Sequence, residues 1–186
     1  MSLDQRRLVK ISKYLAKHLR HQPERLGLEL EPGGWVYVDQ LLAACAGRHF
    51  PVTRAELDEV VEGNDKHRFA FDATGTKLRA NQGHTVPVDL QLAPALPPAT
   101  LFHGTNAAAL DAIRREGLLP MGRHHVHLSP TADSARRVGA RRGRPVVLAV
   151  DAARMADEGM VFYVTDNQVW LTAAVPPRFL PSAGSG

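Results

Sequence analysis

With 186 residues, the chain has room for one medium domain or two small ones. A formal charge of +4 suits an acidic partner, and the single cysteine, Cys45, excludes an internal disulfide. The charged start MSLDQRRLVK, and the lack of any stretch near the roughly 20 apolar residues of a membrane helix, argue against a membrane protein; a soluble protein of a reducing, cytoplasmic compartment is expected.

Leu8, Ile11, Leu15 and Leu19 recur at helical spacing and predict a first helix over residues 3–20, stopped by Pro23. The PGG at 32–34 reads as a turn, after which Asp39 is placed to cap a second helix through LLAACA, with Cys45 as a small core residue. Thr53 and Glu56 have capping-box spacing and open a third helix, TRAELDEVVEG. FAFDATGTKLRA, with its alternating phenylalanines and central ATG, reads as a β-hairpin. Helices followed by a hairpin resemble a winged-helix module, which by fold alone says little about function.

The proline-dense stretch LAPALPPAT marks a composition break, so the expected organisation is a first lobe over 1–93, a linker over 94–100, a second lobe over 101–180 and a small-residue tail over 181–186. LFHGT predicts a short strand, and Thr105 or Asn106 can cap the helix AAALDAIRREG. HVHLS reads as a strand, TADSARRVGARRG as a short basic helix, PVVLAV as a buried strand, and MVFYVTDNQVWLTAAV as two strands around Asp166 and Asn167. The pattern is α+β. From residue 94 onward the basic side chains are 10 arginines and no lysine, and arginine is the side chain shaped for bidentate phosphate contacts.

GRHHVHLSP, at 122–130, places three histidines in four positions. On a strand, His125 and His127 share one face while Val126 and Leu128 pack the other way. H-x-H is a metal-ligand spacing, but no cysteine pair, H-E-x-x-H or nearby carboxylate completes a set, so hydrogen-bonded histidines lining a cleft, with no metal, are expected. Arg20 and His21 stand together at the end of the first helix, where positive charge is favoured. NDKHRF and NQGH set several phosphate-capable donors around the hairpin, and the arginine-rich helix (Arg136, Arg137, Arg141, Arg142, Arg144) is either a solvated face or a track for a nucleic-acid backbone. No Ser-His-Asp order, carboxylate pair or P-loop stands out, which leaves ordinary hydrolase readings poor.

Taken in order and spacing, LRH, GGWVYVDQLL, NDKHRFAFD, LRANQGH, LFHGT, GLLPMGRHHVHLS and VWLT resemble the NAD-dependent RNA (tRNA) 2'-phosphotransferases, over residues 12–180. The resemblance implies a winged-helix-like RNA lobe followed by a lobe of ADP-ribosyltransferase fold. It implies NAD as a consumed co-substrate and RNA with an internal 2'-phosphate as partner, as in tRNA splicing. The RNA phosphate attacks the anomeric carbon of the NAD ribose and expels nicotinamide. The ribose 2''-hydroxyl then attacks phosphorus, leaving RNA 2'-OH and ADP-ribose 1'',2''-cyclic phosphate.

The family's arginine-histidine-arginine-arginine tetrad falls on Arg20, His21, Arg68 and Arg123, with His21 the proton donor to the departing RNA oxygen. The same resemblance puts His103, Gly104, Thr105, His127 and Ser129 at NAD, with both histidines as positioning donors and Gly104 allowing close backbone approach. Lys66, Gln82 and His84 become substrate-binding residues. After Asp166 the chain has no acidic residue, which suits a phosphate nucleophile that a carboxylate would repel. The same residues leave two other readings open: ADP-ribosylation of terminal nucleic-acid phosphates, and a non-catalytic winged-helix binder that senses NAD. The expected state is a monomer.

Overall fold

Apolar residues at three- and four-residue spacing need a common surface to bury, and Ile11, Leu15 and Leu19 find one, all at 0% exposure. In the computed structural model, which describes residues 4–63 and 67–181, they lie on helix α1 (Gln5–His21). Asp4 caps α1 by accepting from the Arg6 amide. Pro23 lacks the donor that another helical turn needs, and it opens a 3-10 turn, Pro23–Leu26, that Gly27 closes at φ +66°. The chain divides into two compact units, Met1–Gln91 and Leu92–Gly186.

In the first unit the PGG turn feeds a strand the sequence pattern does not announce, β1 (Trp35–Tyr37), which runs directly into α2 (Val38–Gly47). This corrects the expected role of Asp39. The cap position is Tyr37, whose side chain makes no capping bond, and Asp39 lies in the first turn. α3 (Arg54–Glu62) starts with a complete capping box between Thr53 and Glu56. Arg7 of α1 donates to Glu56 at 3.0 Å and so ties α1 to the start of α3. That bond, more than the Thr53 amide, holds the Glu56 carboxyl below the usual carboxylate range, against the upward push of burial.

The hairpin is β2 (Phe69–Phe71) and β3 (Lys77–Ala80), turned by Asp72, which accepts from the Thr76 and Lys77 amides at 3.0 Å. β3 is central, giving the antiparallel order β1-β3-β2. Leu41, Leu57 and Leu78 close the core with the α1 residues. Cys45 sits fully buried among them, and burial pushes its thiol up to about 11.

In the second unit β4 (Thr100–Asn106) pairs antiparallel with β6 (Pro145–Asp151) along its whole length. β5 (Val126–Leu128), β7 (Phe162–Val164) and β8 (Trp170–Thr172) form a second sheet in the order β5-β8-β7. The two sheets meet where Phe102 and Ser129 exchange backbone bonds of 2.9 and 2.7 Å. Of the two possible caps, Asn106 acts, accepting from the Ala109 amide at 3.2 Å ahead of α4 (Leu110–Glu116).

Helix α5 (Ala132–Gly139), capped by Thr131, packs on β4. Read from the sequence as a buried strand, β6 has only Val150 fully buried; the rest is half-buried or exposed, in a sheet of two strands among the described residues. A short α6 (Ala152–Asp157), capped by Asp151, follows β6 directly and has no counterpart in the elements expected from the sequence. The segment after the unit boundary is extended, yet it is held: the Ala95 amide donates to the Phe162 carbonyl at 2.8 Å. The chain is therefore α+β, with small antiparallel sheets, and among the described residues no helix is long and apolar enough to cross a membrane.

Removing the Thr53 hydroxyl leaves the Glu56 amide without its cap acceptor. Thr53→Ala is expected to lower unfolding free energy by about 1 kcal/mol, read by urea denaturation with unchanged m-value. A midpoint equal to wild type would show that the box contributes nothing.

Candidate functional site

Arg20 and His21 are the last two residues of α1, where helical carbonyls lack intrahelical donors. After β3 the chain returns to supply one: the Thr85 amide donates to the Arg20 carbonyl at 2.9 Å. The same strap places Gly83 against the Arg20 guanidinium, about 3.7 Å from where a Gly83 Cβ would stand. The Thr85 hydroxyl lies 3.0 Å from His21 Nδ1. Farther back, the Asn81 amide donates to the Arg68 carbonyl at 2.9 Å, and Asn81 Nδ2 donates to the His67 carbonyl at 2.6 Å. Arg68 Nη1 donates to Ser12 Oγ at 3.1 Å. Ser12, Ala16 and Arg20 succeed one another at four-residue spacing on α1, so Arg68 docks on the flank that ends at Arg20.

The strap's other polar residues divide. Gln82 is half-buried, and its Oε1 has no hydrogen-bond partner. His84 is only 2% exposed, with Nε2 facing Gly34. Such burial suits an anchor of the strap better than a surface that meets substrate. Lys66 lies outside the described residues.

In the second unit a chain of hydrogen bonds links three of the expected residues. Arg123 Nη1 lies 2.8 Å from His127 Nδ1, and His103 Nδ1 lies 3.1 Å from the His127 carbonyl. A guanidinium only donates, so His127 Nδ1 accepts and the ring's proton sits on Nε2. A carbonyl only accepts, so His103 Nδ1 carries its proton and the neutral ring keeps a bare Nε2. The two imidazoles therefore have opposite polarity: His127 offers a donor and His103 an acceptor.

This alters the expectation for His103, read from the sequence as a donor. Burial pulls its pKa below the ordinary histidine value, and the bond to the His127 carbonyl offsets this only partly. Burial first, then Arg142 and Arg141, likewise draw the Arg123 guanidinium below the usual arginine value, though it stays cationic. A cation crowded by its own kind is relieved by an anion.

Gly104 has a packing reason to be glycine. A Cβ there would fall 1.8 Å from the Ala135 carbonyl oxygen of α5, so its missing side chain admits a helix. Thr105 is half-buried on β4, opposite Val146, and Ser129 holds the two sheets together through its backbone. His125 packs edge-on against Tyr163 at 5.6 Å, and burial, then His124, lower its pKa.

Among the described residues no three histidine, cysteine or carboxylate side chains gather at metal-ligand spacing. A hollow of about 380 Å³ in the first unit is lined by Gly27, Glu29, Glu31, Val36, Tyr37 and Gln40. It is lined by no cation, and of its two carboxylates Glu31 is paired with Lys77 at 2.6 Å, so it suits a phosphate poorly and is not the candidate site. Sequence reasoning passed over Ser12 and Thr85. The only available signal for Thr85 was its position directly after NQGH.

The chain matches the family model described as "RNA 2'-phosphotransferase, Tpt1 / KptA family" over residues 6–174. It is 59% identical to a "Probable RNA 2'-phosphotransferase" of Trichormus variabilis, with 96% of this chain and 98% of that protein covered. A protein of the same description from Streptomyces griseus is 61% identical, at 96% and 98% coverage. One from Pseudomonas aeruginosa is 48% identical, at 97% and 100%.

The depressed pKa of His103 makes a testable sign. Below the unfolded histidine value of about 6.5, the unfolded chain binds this proton and the folded chain does not. His103 thus contributes stability that is full above that pH and is lost as pH falls toward the folded value. A nuclear magnetic resonance titration of the His103 ring should give a midpoint below 6.5; a midpoint at or above it would overturn the assignment of a neutral acceptor. Separately, Gly104→Ala must displace backbone, and a clear fall in melting temperature is expected.

Proposed function

The chain belongs to the RNA 2'-phosphotransferase (Tpt1 / KptA) family, and on that premise we propose that it transfers an internal RNA 2'-phosphate to the ADP-ribose moiety of NAD. The products are RNA 2'-OH, nicotinamide and ADP-ribose 1'',2''-cyclic phosphate. In this reading the first unit is a winged-helix-like RNA lobe and the second has the ADP-ribosyltransferase fold. The succession of α1, α2, α3 and the β2–β3 hairpin is consistent with the first, and the two small antiparallel sheets of the second unit with the other.

The observation that carries the NAD part is the hydrogen-bond chain from Arg123 through His127 to His103. A dinucleotide offers ribose hydroxyls that need an acceptor as well as oxygens that need a donor. Two imidazoles of opposite polarity match that demand, and a guanidinium beside them matches an anion. His103 Nε2 takes a hydroxyl proton, His127 Nε2–H donates, and Thr105 and Ser129 flank them on β4 and after β5.

Arg20, Arg68 and Arg123 are assigned to the RNA phosphate. A phosphate monoester, with a second pKa of about 6, is already anionic near neutrality and needs orientation more than a base. Arg68 is pre-set by Ser12, and Arg123 by His127. In the second step the ribose 2''-hydroxyl attacks phosphorus, the bond to the RNA 2'-oxygen breaks, and His21 gives that oxygen a proton. The arginines stabilise the charge that builds on the phosphoryl oxygens. His84 enters as the anchor of the strap, and Gln82 and Lys66 as contacts to RNA.

Product analysis tests the proposal. Incubated with NAD and an oligonucleotide bearing an internal 2'-phosphate, the protein should yield a 2'-hydroxyl and the cyclic phosphate. A stable ADP-ribosylated phosphate as the only product would turn the reading to terminal-phosphate modification, and no NAD turnover to a binder. Arg68→Ala and Arg123→Ala should each lose on the order of 100-fold in rate with circular dichroism unchanged. His21→Ala should accumulate the RNA–phosphate–ADP-ribose species; equal slowing of both steps would remove His21 as the proton donor.

A further inference from the structure

An exposed histidine on the last turn of a helix has several rotamers within reach, and only one aims its Nε2 at a given atom. His21 is such a residue: it ends α1 and its side chain is exposed. The structure supplies a restraint from far along the sequence, the Thr85 hydroxyl at 3.0 Å from Nδ1. Three features make Thr85 a fixed partner. Its amide donates to the carbonyl of Arg20, the residue before His21, at 2.9 Å. Its Cβ is branched, which restricts χ1. The strap leading to it is anchored by Asn81 at 3% exposure and by His84 at 2%.

We propose that Thr85 is the positioning residue for His21, holding the imidazole by Nδ1 so that Nε2 is the nitrogen that releases the proton. This rests on the reading above, in which His21 protonates the departing RNA 2'-oxygen. A hydroxyl both donates and accepts, and here it acts as acceptor throughout. In the imidazolium, Nδ1–H donates to Thr85 Oγ1 while Nε2–H faces the leaving oxygen. As the phosphorus–oxygen bond breaks, the Nε2 proton moves to that oxygen and the Nδ1 proton stays on the Thr85 side. The ring neither turns nor changes its partner. The proton lost by the attacking 2''-hydroxyl goes to solvent, which returns one to the imidazole, so the step balances.

The role is step-specific, and that separates it from a packing role. The Thr85 backbone bond to Arg20 survives any side-chain change, so Thr85→Val keeps the branched shape and the strap and removes only the hydroxyl. With NAD and the 2'-phosphorylated oligonucleotide, Thr85→Val should slow the second step about tenfold, a fraction of the 10²–10⁴ that a general acid supplies. The RNA–phosphate–ADP-ribose species should accumulate while the KM for NAD stays at the wild-type value. Thr85→Ser should restore most of the rate. The double variant His21→Ala/Thr85→Val should be no slower than His21→Ala alone, because the hydroxyl acts through the imidazole.

Wild-type second-step rates in Thr85→Val, or additive losses in the double variant, would overturn the proposal. So would a serine variant as slow as valine. A wild-type protein that does not turn over NAD would instead strike the underlying reading, and a wild type that turns over while His21→Ala slows both steps alike would strike the acid role.

Discussion

At 2.8 Å the Arg123 guanidinium donates to Nδ1 of His127, and a guanidinium has no lone pair with which to take a proton back. The bond therefore decides more than the position of two side chains. It fixes the His127 tautomer, and the carbonyl of the same residue fixes that of His103. One residue of β5 thus meets both, and leaves the two rings with opposite polarity at Nε2.

The first unit fixes its side chains by other means. On the proposed reading these groups meet a phosphate, and holding them still beforehand avoids the side-chain entropy of ordering them on binding. Ser12 holds Arg68, the strap lies along Arg20, and Thr85 meets His21. The strap also answers a backbone requirement. A helix ends with carbonyls in want of donors, and the Thr85 amide provides one where Arg20 and His21 stand. The helix end that favours positive charge on Arg20 and His21 is thereby built into a platform.

Packing and electrostatics meet at Gly104. Its lack of a Cβ lets α5 approach β4 to contact distance, which brings the 3-10 turn carrying Arg141 and Arg142 within electrostatic range of Arg123. The glycine stands out in LFHGT as a ligand-facing feature; in three dimensions its first duty is to a helix. The placement of the arginine-rich stretch follows from it.

Local chemistry was legible in the chain itself. The 3.6-residue apolar stripe of α1, the Thr53–Glu56 box, the hairpin turn at ATG and the alternation in HVHLS each depend on neighbours within a few residues, so they emerge from sequence with little ambiguity. The ordered motifs also sufficed to indicate the family. Long-range pairing was not legible. β1 is three residues paired with β3, 40 to 44 positions away, and β6 is largely half-buried in a sheet that has two strands among the described residues. The same holds for the proton on each histidine. Whether His103 donates or accepts depends on a carbonyl 24 residues away, and His21 Nδ1 meets a hydroxyl 64 residues away. Sequence alone determines which groups are present and which local elements carry them; the partners that set tautomer, rotamer and charge are chosen only when distant backbone is brought within hydrogen-bond range.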